Sequence, residues 1–460
     1  MCYLLRIRYS RTGARADIDE AVDHGRAALA FHGTAPAELP RWRSDLSAAL
    51  RERSESTGSV ADIDEAIEQG RAAAEGGEAG GVGHHGTAVL QRFQSLGQLD
   101  DLHRAVLLAR EAVTSGETDA GAALSNLGAC LAQRHEEMGT SEDLDGAIAS
   151  FQQAVGRTDP HHQARPNRLI NLALGLRERY RRTGDEADFR AADAAAREAV
   201  DLAPAGHQLQ ARALDTLGHV AVERYSRTGD PADLDKAISA ARRARDVNDH
   251  PALGQMVHNL AVYLLDRFTV AGAAEDLDES IALCREGLGF DSQTTVNLRY
   301  TLGKALAARS DLTGDADSAR EAVEVWRAGA MASTGRAEAR LAAAVEWARF
   351  AERRSDASAL EAYGQAIALQ RILVSMGAAR SDREMLLTRW RGLAGDAAAA
   401  ALGAGRPDTS VELLEQGRSV LWSQLLDLRS DLTEMRDRAP ALARRLVAVR
   451  DRLDRPPRRP

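Results

Sequence analysis

The sequence is poor in the residues that usually carry chemistry. Its 460 residues include three cysteines, Cys2, Cys130 and Cys284, too few and too scattered for a disulfide framework or a paired-cysteine metal site. Aromatic residues make up only 4% of the chain; alanine does much of the filling in the 44% that is hydrophobic, a composition suited to close-packed helices. No apolar run approaches the roughly 18–20 residues of a membrane span, and the opening MCYLLRIRYS is too short and too quickly charged for a signal peptide. Alternating apolar strand patterns are missing as well. A net charge of -9 gives no general attraction to nucleic acid or to an anionic membrane. The basic exception is the segment 431–460, with nine Arg against five acidic residues. These absences predict a cytoplasmic chain without metal or cofactor.

What the sequence does have is repetition. Arg8, Arg53, Arg92, Arg134, Arg179, Arg224, Arg267 and Arg309 are each followed five residues later by glycine, at Gly13, Gly58, Gly97, Gly139, Gly184, Gly229, Gly272 and Gly314. Nine residues after the arginine stand Asp17, Asp62, Asp101, Asp143, Asp188, Asp233 and Asp276, with Ser318 in the eighth copy. Successive arginines lie 39 to 45 residues apart. Upstream of the mark, apolar and small residues recur at helical spacing, as in LSNLGACLAQR, so a first helix runs into the arginine. The glycine supplies the left-handed stop. The Asp or Ser four residues on is expected to cap a second helix, with the Glu of DIDE or DLDE completing a capping box. The arginine itself is expected to be structural, meeting its own helix end or the Asp nine residues on, rather than to form a row of cations for an acidic partner.

A helix pair of this kind cannot bury its own apolar faces, so pairs must stack. The fold class read from the sequence is therefore all-α: a right-handed superhelical solenoid of antiparallel helix pairs. We read 1–330 as eight extended repeats, the first truncated because Cys2 already occupies the column of Gly128 and Gly218. Residues 331–430 read as degenerate helix pairs that close the array, and 431–460 as a C-terminal helix and a basic Pro/Arg-rich tail. Within 381–452 two or three further helices are expected, the first opened by the capping pattern SDRE.

The small residue in NLGACL and the second-helix alanine resemble tetratricopeptide repeats, although the usual repeat is about 34 residues. The extended form, RYSRTGDPADLDKAI and its copies, is similar to the arrays of actinobacterial proteins that carry a CHAT domain, a caspase-like peptidase domain. Leu413 to Arg436, LLEQGRSVLWSQLLDLRSDLTEMR, is similar to the segment leading into that domain. The resemblance implies a sensing or recruiting region of a CHAT-type peptidase system. The α/β domain with its catalytic His and Cys has no counterpart before the chain stops at DRLDRPPRRP, so a chain without that domain is expected.

Candidate chemistry is thin. Gly81 to Gly86, GVGHHG, satisfies GxGxxG but follows no strand, and reads as an inter-repeat connection with solvated histidines at His84 and His85. His161 and His162 read the same way. Cys130 and Cys284 read as small core residues, and His24–Gly25 and His32–Gly33 echo a CHAT dyad only as dipeptides. No catalytic residue is assigned. The better functional column lies eight residues before the arginine: Asn126, Asn171 and Asn259, with Asp45, Thr216 and Thr301 in other copies. The tetratricopeptide resemblance implies that this face lines a groove where asparagine amides pair with an extended protein or peptide partner. Asp215, His219, Asn297, Tyr300 and Lys304 lie near it. Against this stands a bland role for the asparagines, hydrogen bonding within or between repeats. Two other function classes stand as alternatives: a CHAT-type cysteine peptidase in its own right, disfavoured by the missing domain, and a nucleic-acid-binding regulator, disfavoured by the charge.

Overall fold

The computed structural model describes residues 1–30, 36–115, 119–247, 253–290, 294–375, 390 and 392–418. Among them are twenty α-helices, one short 3-10 turn at Pro36–Glu38, and no strand. The chain divides into two compact units, Met1–His250 and Pro251–Pro460, a boundary that the repeat frame does not mark.

The first unit is six helical hairpins in series: α1 Cys2–Thr12 with α2 Arg15–Ala30, α3 Leu39–Thr57 with α4 Val60–Glu75, α5 Gly81–Leu96 with α6 Leu99–Thr114, α7 Ala120–Met138 with α8 Ser141–Gly156, α9 Arg165–Thr183 with α10 Glu186–Leu202, and α11 Gln208–Thr228 with α12 Pro231–Arg245. The second unit continues the pattern with α13 Leu253–Ala271 and α14 Ala274–Gly287, α15 Thr295–Thr313 and α16 Ala316–Ala330, α17 Ala337–Arg353 and α18 Ala359–Ser375, and α19 Leu393–Gly403 and α20 Pro407–Arg418. Each is a stacked, tetratricopeptide-like array. The expected SDRE cap, the helices after Arg418 and the basic tail lie outside the described residues.

The stop signal acts as the sequence predicts. All eight frame glycines take positive φ, between 66° and 74°, and close their first helices in the left-handed conformation. The start signal differs. The second helices begin two residues before the frame aspartate, and the capping side chains are Ser59, Asp185, Asp230 and Asp315, six residues after the arginine. Asp62, Asp143, Asp188 and Asp233 therefore lie inside the first turn and are not the caps. They are buried, no more than 7% exposed, and Glu65 turns outward to Arg26 instead of completing a capping box.

The frame arginine explains the burial. Arg53, Arg92, Arg134, Arg179 and Arg267 each bind their aspartate bidentately, through Nε to Oδ2 at 2.7–2.8 Å and Nη2 to Oδ1 at 2.5–2.6 Å. This is the planar fork matched to a carboxylate, held at a helix N-terminus where negative charge is favoured. In the eighth copy Arg309 Nε donates to Ser318 Oγ at 2.8 Å. The same arginines reach back one hairpin: Arg92 to Asp64 at 3.3 Å, Arg179 to Asp145 at 3.0 Å, and more loosely Arg53 to Asp19 at 3.8 Å and Arg309 to Asp278 at 3.9 Å. The two acids of a DID or DLD thus serve different hairpins at Asp17 and Asp19, Asp62 and Asp64, Asp143 and Asp145, and, in the second unit, at Asp276 and Asp278: the first its own and the second the next.

Packing between helices of a pair is set by small residues. A Cβ on Gly128 would stand 2.4 Å from Phe151, and one on Gly303 would stand 2.4 Å from Trp326 Nε1, so these glycines admit a large second-helix ring. GVGHHG is not the connection expected. It forms the first turns of α5, where Gly81 lies against the backbone of Ala74 and Gly86 against Leu108.

Candidate functional site

In the first unit each first helix packs on the next, α1 on α3, α3 on α5, α5 on α7, α7 on α9 and α9 on α11, and among the described residues no comparable backbone approach links consecutive second helices. The first helices therefore form the inner side of this array. Arg53, Arg92, Arg134, Arg179, Arg267 and Arg309 are engaged by the contacts described and do not form a row of free cations.

The column eight residues before each arginine lies on these first helices, and its members differ in what they meet. His84 Nδ1 is 2.7 Å from Ser44 Oγ of α3, and Asn171 donates Nδ2 to Ser125 Oγ of α7 at 3.3 Å. In the second unit the same register brings Thr301 Oγ1 within 3.2 Å of His258 Nε2. In each case a column residue meets the residue nine positions before the preceding arginine, so the column joins consecutive first helices. On α5 that acceptor position is Gly83, which offers no side chain. Asn126 is half-buried and its amide has no hydrogen-bond partner among the described residues. Asn259, in the second unit, is 7% exposed and accepts from Gln255 Nε2 at 2.8 Å within α13.

On α9 and α11 the inner face is strongly polar. Asn167 Oδ1 accepts from Arg212 Nη1 at 3.0 Å, and Asp215 lies 3.8 Å from His219 Nδ1. Arg212 is exposed, yet desolvation lowers its pKa. Burial likewise lowers the pKa of His219, against the opposing pull of Asp215, and raises that of Glu223 despite nearby Arg177. Arg177 Nε is buried without a partner. Arg177, Arg212 and Glu223 were not singled out by sequence; no column of the frame marks them. In the second unit Asn297 and Tyr300 are half-buried, and Lys304 Nζ stands 5.7 Å from the Tyr300 ring centroid.

The other candidates resolve more simply. His84 and His85 are not solvated loop residues: both lie in α5, and burial pushes each pKa down to about 4. His161 and His162 do sit in an exposed turn, His24–Gly25 lies in α2, and His32–Gly33 falls outside the described residues. Cys130 and Cys284 are core residues whose thiols burial pushes up to about 12, and Cys2 is pushed to about 11. Among the described residues no group of His, Cys, Asp or Glu is placed to hold a metal ion, and no helix is long and apolar enough to cross a membrane.

The sequence matches no family model and no curated protein. Among solved structures it is similar to the human IFIT1 dimer with PPP-AAAA, at 13% identity over 94% of this chain and 89% of that one, with a TM-score of 0.46. It is also similar to the apo form of RapI, at 9% identity over 83% of this chain and 97% of that one, with a TM-score of 0.49. Both are likenesses at low identity; the hairpins themselves establish the repeat architecture.

Proposed function

We propose that this chain is a non-enzymatic interaction scaffold, and that the inner face of its first unit takes an extended peptide segment of a protein partner. The observation that carries the reading is Asn126. The residue is half-buried on α7, one hairpin from Asn171, in the column that elsewhere joins neighbouring helices, and its amide makes no hydrogen bond among the described residues. An amide offers one donor and one acceptor side, which suits the backbone of an extended chain. The finer placement, as the recruiting region of a CHAT-type peptidase system, rests on the resemblance of the repeats and of Leu413 to Arg436, and the cytoplasmic location on the three scattered cysteines. The absence of an assigned catalytic group accords with thiols that burial holds protonated.

The test is a displayed random-peptide library selected on the full chain. Peptides enriched on the wild type should bind Asn126→Ala roughly fivefold more weakly, the loss of about one hydrogen bond near 1 kcal/mol. Equal binding by a variant with an unchanged circular dichroism spectrum would remove the inner face from the reading.

A further inference from the structure

The junction between the fifth and sixth hairpins lacks two ion pairs that other junctions make. In the preceding hairpin Asp145, the second acid of DLD, reaches forward to Arg179 at 3.0 Å. The corresponding residue of the fifth hairpin is Arg190, within DFR. On the second helices, Arg26 of the first hairpin pairs with Glu65 of the next, and in the second unit Arg285 pairs with Glu321. The corresponding residues here are Arg197 and Lys236. Both positions that should receive a cation therefore carry one.

The consequences are visible in Arg224. It lacks the fork of its equivalents: Nη1 is 3.6 Å from Asp233 Oδ1, Nε is buried without a partner, and the guanidinium lies over the Phe189 ring at 4.6 Å. Asp233, fully buried, takes Lys236 Nζ at 2.9 Å and leaves Oδ2 unpartnered. Arg190 and Arg243 make no ion pair among the described residues.

A cleft of about 330 Å³ opens beside this break, between α10 and α12 over α11. Its floor includes Leu217, Ala221 and Ala240; Arg197, Lys236 and Arg243 stand on its walls with Asp193 and Asp235. Asp193 occupies the position of Ile148 and Ile238, both buried in their own hairpins, and its carboxylate is held by Arg197 at 2.7 Å. Arg190, Asp193 and Arg197 share one face of α10 at helical spacing.

We propose that this cleft binds an acidic peptide, whose carboxylate enters between Arg190 and Arg224 as Asp145 enters beside Arg179, and whose neighbouring aliphatic side chain covers Leu217, Ala221 and Ala240. The preceding junction is the template: it shows a carboxylate of the chain itself where this one carries a cation. The alternation of acid and base along the walls suits separate carboxylates and opposes a continuous phosphodiester.

The probe is a fluorescein-labelled octapeptide of alternating Asp and Leu, followed by anisotropy with the full chain at low ionic strength; an Asn–Leu octapeptide and a labelled oligothymidylate serve as comparisons. Saturable binding of the acidic peptide alone is expected. Arg190→Asp/Lys236→Glu, which restores an internal acid at both positions, should weaken that binding at least tenfold while raising the melting temperature. Arg157→Asp, a charge change on an exposed residue away from the cleft, should alter it less than twofold. The proposal is overturned if the wild type does not bind the acidic peptide, if the oligonucleotide or the Asn–Leu peptide binds as well, or if the double variant binds like the wild type.

Discussion

Arg179 is held between two carboxylates from different hairpins, Asp188 Oδ1 at 2.6 Å on its own and Asp145 Oδ1 at 3.0 Å on the one before. The two contacts differ in worth because their surroundings differ. The Asp188 side chain is 8% exposed and that of Asp145 62%. Asp188→Asn removes a charge-assisted, bidentate acceptor in a dry site and should cost about 1.5–3 kcal/mol. Asp145→Asn acts in solvent and should cost less than about 1 kcal/mol. Urea unfolding of the two variants orders them; equal losses would show that the burial of the inner carboxylate does not matter.

Two glycines of the frame should respond to substitution for different reasons. At Gly229, φ is 68° and an added Cβ would meet nothing, so Gly229→Ala carries a backbone cost alone, about 1–2 kcal/mol. At Gly128 the backbone is ordinary and the cost is steric, from a Cβ 2.4 Å from Phe151, about 1–3 kcal/mol. Phe151→Leu should recover part of the loss in Gly128→Ala and none in Gly229→Ala, as measured by thermal melts of the single and double variants.

Acid should destabilise the first unit through His85. Desolvation lowers its pKa from 6.5 to about 4, so between those values the unfolded chain binds a proton that the folded chain refuses. Stability therefore falls as pH drops through this window, by up to about 2 kcal/mol at pH 5 from this residue. His85→Leu removes the titrating group and should flatten the difference between urea unfolding at pH 7 and pH 5. An unchanged pH dependence would assign the acid response to other groups, of which His84, lowered in the same direction, is the first to test.

The helix stops were legible because they follow a local rule: a glycine at positive φ ends a helix whatever lies around it. The starts were misjudged by about two residues because aspartate is both a capping residue and an arginine partner, and Asp62 and Asp188 are used for the second purpose. The second acid, where it pairs, was opaque for another reason. Its partner lies a whole hairpin away, as Asp145 does from Arg179, and no local pattern reports it. GVGHHG looked like a loop because glycine marks both turns and close helix contacts, and only the neighbouring Ala74 and Leu108 decide between them. Of the groove column, its place on the first helices was readable; which amide is already engaged was not, since Asn171 and Asn126 differ only in the helix that each faces.

Because each hairpin of the first unit touches little beyond its neighbours, no part of it must find a partner far along the chain. Such an array has short-range contacts and is expected to assemble rapidly from any adjacent pair of hairpins, spreading outward one hairpin at a time. Its failure should be graded in the same way. Native-state hydrogen exchange should show separate opening free energies along the unit, with the amides of α11 and α12, beyond the junction where Arg190 stands in the register of Asp145, released before those of α7 to α10.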